Sequence, residues 1–200
     1  RSVLGIRPLL WKNGWPVGGE VFKEGTYEIE SERRGYALEL AVDFVRMEYT
    51  RHRFWEKDDT PVVPLKSQML EDVIETWPQG KINVRIGDYM FRPHQKWTIT
   101  AVPDGGGYLG GPYYKIVIEG TNRALAATAD AEVVTVPEFT GAPEQLWRID
   151  QLTDGTYRIM PKEVPGTDKE LVLVSVGDST PSLGEFDMNS DNSKWNFRDH

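Results

Sequence analysis

The sequence predicts an all-β chain, and three observations carry that reading. Apolar and polar residues alternate with period two in many short runs, which puts one face of each run in a core and the other in solvent. Gly, Pro, Asp or Asn separates these runs, as expected of short antiparallel strands joined by tight turns. Seven Trp, eight Tyr and seven Phe stand beside 19 Gly and 13 Pro, a composition rich in strand formers and turn residues.

The strand candidates fall in order at 27–29, 37–42, 81–86, 114–118, 133–136, 147–149, 156–159 and 171–174. One helix is predicted, over 67–76, where Met69, Leu70, Val73 and Ile74 share a helical face and Pro78 ends the segment. At the amino end, Ile6-Arg7-Pro8-Leu9-Leu10-Trp11 and Trp15-Pro16-Val17 flank Asn13-Gly14, which predicts a β-hairpin.

A repeat organises the strands from residue 25 onward. Gln95-Lys96-Trp97 and Gln145-Leu146-Trp147 lie 50 positions apart, and Ser193-Lys194-Trp195 follows 48 later with Ser in place of Gln. Each closes a unit opened by a Tyr-x-Ile strand, at Tyr27, Tyr114 and Tyr157. Behind each opener come a turn and an x-Leu-x strand, at Leu38, Leu125 and Leu171. Three units of four short strands, each ending in this way, predict a β-trefoil of three pseudo-repeats, in which every unit supplies one Trp to a core that no unit can bury alone. Gln95, Trp97, Gln145, Trp147 and Trp195 are therefore the structural repeat residues, in units at about 25–102, 112–152 and 153–200. The Gln is expected to tie its turn to neighbouring backbone, a role Ser193 fills only in part. From Tyr27 to Trp97 is 70 positions against 33 and 38 in the other units, which places an insertion in the first repeat at about 44–80.

These Gln-x-Trp repeats resemble those of the ricin-B-type β-trefoil lectins, also known as family 13 carbohydrate-binding modules, over about residues 25–200. The resemblance implies a glycan as partner. It also implies a site made of an acid in a Leu-Asp-x context, an aromatic on the following strand and an amide beside Gln-x-Trp. The first unit then offers Glu39, Tyr49 and His94; the second has Ala126 and Pro137, which lack both elements; the third has Val172 in the acid slot, with Phe186 and Asn192 near the other two. Plainer readings stand beside these: Glu39 as a solvated strand residue, Tyr49 and Phe186 as core. The disulfides common in that family are absent, since the chain has no Cys.

Residues 1–24 fall outside the repeat. The segment from Ile6 to Val17 is similar to the closing strands of the five-bladed β-propeller of glycoside hydrolase family 43, the arabinanase and xylosidase family. That resemblance implies an upstream catalytic domain acting on arabinan- or xylan-type polysaccharide, whose carboxylates lie outside this chain. The plainer reading is a hairpin that covers the trefoil. The chain opens on Arg1 with neither initiator Met nor leader, so a processed or excised piece is expected. The hydrolase resemblance implies a secreted, periplasmic or cell-surface protein. In the insertion, Tyr49, His52, Phe54, Trp55 and Trp77 either stack on a glycan or pack the insertion onto the trefoil or an upstream propeller.

Several function classes are excluded or disfavoured. The absence of Cys removes disulfides, Cys-zinc sites and thiol catalysis. A net charge of -8 argues against nucleic-acid binding and against adhesion to anionic lipid. No run approaches the ~18 apolar residues a membrane helix needs. His52, His94 and His200 are not spaced as metal ligands. The Gly-rich run 104–111 lacks the Lys-Ser/Thr of a phosphate loop and reads as a linker between units. Asp187-x-Asn189-x-Asp191 lacks the Gly and final Glu of a calcium loop and reads as a polar turn. The expectation is a non-catalytic carbohydrate-binding module with no cofactor, no metal and no catalytic residue. The alternative is a structural trefoil with decayed sugar sites that stabilises a neighbouring domain.

Overall fold

The computed structural model describes residues 9–12, 15–18, 21–33, 35–42, 74–108, 111–177 and 179–199. Among these the chain is all-β, with fourteen strands and no α-helix. The amino-terminal hairpin pairs β1 (Leu9–Lys12) with β2 (Trp15–Gly18) antiparallel, from Leu9 opposite Gly18 to Lys12 opposite Trp15.

Twelve strands form three units of four. The first holds β3 (Gly25–Ser31), β4 (Ala37–Leu40), β5 (Ile82–Gly87) and β6 (Trp97–Tyr108). The second holds β7 (Gly111–Ile118), β8 (Ala124–Ala127), β9 (Val133–Val136) and β10 (Trp147–Gln151). The third holds β11 (Tyr157–Pro161), β12 (Val172–Val176), β13 (Thr180–Gly184) and β14 (Trp195–Asp199). The first and fourth strands of each unit pair around a closed ring, β3–β6–β7–β10–β11–β14 and back to β3. Closure leaves no barrel strand with an open edge. The second and third strands make three hairpins, β4–β5, β8–β9 and β12–β13. This is the predicted β-trefoil.

The three repeat tryptophans explain why the units fold as one body. Trp97, Trp147 and Trp195 are fully buried. A buried indole N–H needs an acceptor, and each finds the same one: Nε1 donates to the carbonyl of Leu38 at 2.8 Å, of Leu125 at 2.9 Å and of Leu173 at 2.8 Å. Each bond ties the start of a fourth strand to the second strand of its own unit. The opener tyrosines gather at one mouth of the barrel around Phe22, whose ring centroid lies 5.2, 6.1 and 5.5 Å from those of Tyr27, Tyr114 and Tyr157. Tyr114 Oη also accepts from the Phe22 amide at 2.7 Å. Phe22, just before the predicted unit boundary, is thus part of the trefoil core.

Three expectations change. Leu173, not Leu171, is the counterpart of Leu38 and Leu125, because it is the residue whose carbonyl meets Trp195. The third acid slot is therefore Val174 rather than Val172. The Gly-rich run is not a plain linker: β6 and β7 continue as a paired arm, with Tyr108 opposite Gly111. Of the predicted helix, 67–73 lies outside the described residues, and Ile74–Thr76 is a single 3-10 turn. Trp77, one of the aromatics weighed for glycan stacking, is buried in the core. Arg123 fixes the backbone beside it, donating to Gly80 O and Pro78 O at 2.7 Å each.

Candidate functional site

The Trp–Leu bonds set the register between units, so the three lectin-type positions can be compared directly. Glu39 corresponds to Ala126 and Val174. Their cross-strand neighbours, Arg85, Val134 and Ser182, correspond in turn. The pair before each Trp is His94-Gln95, Glu144-Gln145 and Asn192-Ser193, and each pair lies in a 3-10 turn, Pro93–Gln95, Pro143–Gln145 or Asp191–Ser193.

In the first unit, Glu39 is 4% exposed rather than solvated. Arg85 Nε donates to Glu39 Oε1 at 2.6 Å, and Gln95 Nε2 donates to Oε2 at 2.5 Å. His94, also buried, places Nε2 3.3 Å from the same Oε2, while its Nδ1 meets no hydrogen-bond partner among the described residues. Burial pushes the Glu39 carboxyl up, but the hydrogen bonds from His94, Arg85 and Gln95 together outweigh it and hold the acid below its ordinary value. Gln95 also does the expected turn work: its Oε1 accepts from the Met90 amide at 2.8 Å and its Nε2 donates to Asp88 O at 2.8 Å. The structure brings Glu39 and His94 together as the sequence suggested, but as a buried cluster in which Arg85 and Gln95 already occupy the Glu39 carboxylate. Tyr49 lies outside the described residues.

In the second unit, Gln145 Oε1 accepts from the Thr140 amide at 2.7 Å. The Ala126 and Val134 side chains offer no polar atom.

In the third unit the same position is an open cleft of about 430 Å³. Val174, Asn192 and Ser193 line it, with Asp187, Ser190 and Arg33 at its sides. The reason is volume. Where the first unit packs Glu, Arg, His and Gln, the third has Val174, Ser182, Asn192 and Ser193. Ser193 Oγ donates to Asp187 O at 3.0 Å, a shorter version of the Gln tie. Arg33 donates to Gly177 O at 2.6 Å, which fixes it across the cleft mouth. Asp187 and Asn189 form a local polar turn, the Asn189 amide donating to Asp187 Oδ1 at 2.9 Å. Asn192 is brought to this cleft. Phe186 is not among its lining residues and lies instead below Arg158, 5.0 Å from guanidinium carbon to ring centroid.

Arg85 and Arg33 were not found by sequence reasoning. Arg85 was legible in principle, since it belongs to the alternating run that pairs with the Glu39 strand. Arg33 was not, because it sits in a turn remote in sequence from the cleft.

One other acidic pair is buried. Glu28 and Glu30 lie on β3, and Arg198 Nε lies 2.8 Å from Glu30 Oε2. Glu28 Oε1 has no hydrogen-bond partner among the described residues. Burial, then the hydrogen bond and charge of Glu30, push the Glu28 carboxyl up to about 7, against the pull of Arg198. No described group of His, Asp or Glu is arranged to hold a metal, and no helix among the described residues is long and apolar enough to cross a membrane.

Comparison with known proteins agrees with this geometry. Residues 93–181 match the family model described as ricin-type beta-trefoil lectin domain-like. No curated protein is matched. Among solved structures, a mosquitocidal holotoxin is similar at 13% identity and a TM-score of 0.59, over 90% of this chain and 18% of that one. The designed 3-fold symmetric protein ThreeFoil is similar at 19% identity and a TM-score of 0.57, over 88% of this chain and 99% of that one. An exo-beta-1,3-galactanase from Clostridium thermocellum is similar at 16% identity and a TM-score of 0.54, over 92% of this chain and 32% of that one. The chain thus spans less than a third of the first, a third of the last and nearly all of the designed one. It is a β-trefoil, and residues 93–181 carry a ricin-type, lectin-like domain signature.

Proposed function

We propose that this chain is a non-catalytic carbohydrate-binding module and that its glycan site is the third-unit cleft. One observation carries the reading: the lectin-type position that is closed in the first unit is an open cleft in the third, with Asn192, Asp187 and Ser190 among its lining residues. The Asn192 amide, the Asp187 carboxylate and the Ser190 hydroxyl offer donors and acceptors to sugar hydroxyls there. The finer reading is that the chain belongs to a secreted, family 43-like glycoside hydrolase acting on arabinan- or xylan-type polysaccharide. The amino-terminal Arg-Pro-Leu and Gly-Trp-Pro-Val motif supports it, and the fold likeness to a galactanase is in keeping with it. Affinity electrophoresis in arabinan, xylan and galactan gels tests the binding. Retardation in at least one gel, with no hydrolysis by this chain, is expected; migration unchanged in all three contradicts the proposal.

A second reading has its own support. Two of the three acid slots hold Ala126 and Val174, and the third holds a Glu39 that is already saturated by protein groups. A trefoil with decayed sites that only stabilises a neighbouring domain would bind no polysaccharide, yet would raise that domain's melting temperature when fused to it.

A further inference from the structure

A second cleft lies outside the three repeat positions. It has a volume of about 590 Å³ and lies between the β6–β7 arm and the loop after β11. That size falls within the range of small-molecule and oligosaccharide sites.

The arm is a built feature. Between Val102, opposite Tyr113, and Gly107, opposite Pro112, four residues of β6 bulge out of the ladder. A Cβ at Gly107 would run into the carbonyl oxygen of Gly111, and Gly106 has a φ of +87°. The glycines are therefore what allows the arm to fold back on itself. Its position is then fixed from the third unit: Lys162 Nζ donates to Gly105 O at 2.8 Å and lies 5.3 Å from the Tyr113 ring centroid. On the other side, the Arg148 guanidinium carbon sits 3.3 Å from the Tyr108 ring centroid. Arg148 is itself held by Asp150, Nε to Oδ1 and Nη2 to Oδ2 at 2.7 Å each, and Arg158 shares that carboxylate at 2.6 Å. Tyr108 is thus pinned on one face by a fixed cation, yet is 43% exposed.

The charges choose the ligand. Of the cations that line the cleft, Arg148 is committed to Asp150, Lys162 to a backbone carbonyl, and Lys169 lies 4.0 Å from the Glu185 carboxylate. Glu163, Asp168 and Glu170 also line the cleft and have no hydrogen-bond or ion-pair partner among the described residues. An acidic chain would meet these uncommitted carboxylates, and none of them is grouped to hold a metal. A neutral, hydroxyl-rich chain meets acceptors for its O–H groups and a fixed ring face for its C–H groups. We propose that this arm cleft is a second glycan-binding site, selective for neutral oligosaccharide, with Tyr108 as the stacking platform. The inference rests on the carbohydrate-binding reading but places a site outside the repeat positions.

Calorimetric titration with neutral arabino-, xylo- and galacto-oligosaccharides, and with oligogalacturonate as the acidic counterpart, tests it on the full chain. Tyr108→Ala is expected to weaken neutral binding at the arm cleft about tenfold while leaving the third-unit cleft unchanged, and Tyr108→Phe to retain both. Backbone amide signals of Tyr108, Lys162 and Glu163 in the unaltered chain should move on adding the bound neutral probe. If no probe binds the wild type, this inference and the carbohydrate-binding reading both fall. If neutral probes bind but Tyr108→Ala matches the wild type, the moving signals lie only at 190–193, or oligogalacturonate binds more tightly, this inference alone is overturned.

Discussion

The first and third units put different side chains on the same backbone frame, and the contrast shows how a repeat fold gains or loses a site. Both second strands present a Leu carbonyl to the repeat Trp at 2.8 Å. Both fourth strands are preceded by a 3-10 turn. In the first unit, Glu39, Arg85, His94 and Gln95 fill the space between these elements, and Arg85 and Gln95 take up the Glu39 carboxylate. In the third, Val174, Asn192 and Ser193 line an open cleft, and a small Ser182 stands opposite Val174 where the first unit has Arg85. An acid in the expected slot is therefore poor evidence of a working site when large polar neighbours can reach it first. A buried, saturated carboxylate has little left to offer a sugar hydroxyl.

The largest expected effect concerns what the two units share. Trp97→Ala and Trp195→Ala should each lower stability by about 3–5 kcal/mol, since each removes a fully buried indole and orphans a carbonyl. Urea unfolding checks this; a large loss at one position alone would mean the two units do not share one core role.

Next comes Glu39→Ala, which should cost about 3 kcal/mol because it leaves Arg85, His94 and Gln95 facing an empty site. Its pH dependence has a fixed sign. The folded acid is held below its ordinary value, so its contribution is present above about pH 4.5 and is lost as pH falls through the folded value. The variant should lack that acid limb in a series of urea titrations across pH.

Rebuilding the closed cluster in the third unit, with Val174→Glu and Ser182→Arg, should fill the cleft and weaken glycan binding there about tenfold, close to the loss of one or two hydrogen bonds. Unchanged affinity would separate the cleft from the binding.

The smallest effect belongs to Glu28, in the barrel wall both units share. Its carboxyl is raised to about 7, so its neutral form favours the fold; that contribution is full below the ordinary acid range and fades as pH rises through 7. Glu28→Gln should melt with the wild type at pH 4 and a few degrees above it at pH 8. Coincident melting at both values would contradict the assignment.

Much of the frame was legible because it is repeated. Three Trp in phase, with Tyr-x-Ile openers, located every unit and the core they share. The register of the third x-Leu-x strand was not: residues 171–174 alternate equally well in either of two frames, and what separates them is a hydrogen bond from Trp195. Glu39 and His94 were legible as neighbours because both are counted from repeat landmarks. Their closure was not, since it depends on Arg85 reaching across from the paired strand. The arm cleft escaped for a similar reason. A Gly-rich run reads as a linker, and nothing local says that Tyr108 will meet Arg148 or that Lys162 will reach Gly105.

The most direct test of the contrast between units is one titration of a neutral oligosaccharide, carried out in a Tyr108→Ala chain so that the repeat positions alone report. Glu39→Gln should bind as the parent does, whereas Asn192→Ala should bind about tenfold more weakly. Loss of binding with Glu39→Gln and none with Asn192→Ala would contradict the assignment of the open third-unit cleft as the glycan site.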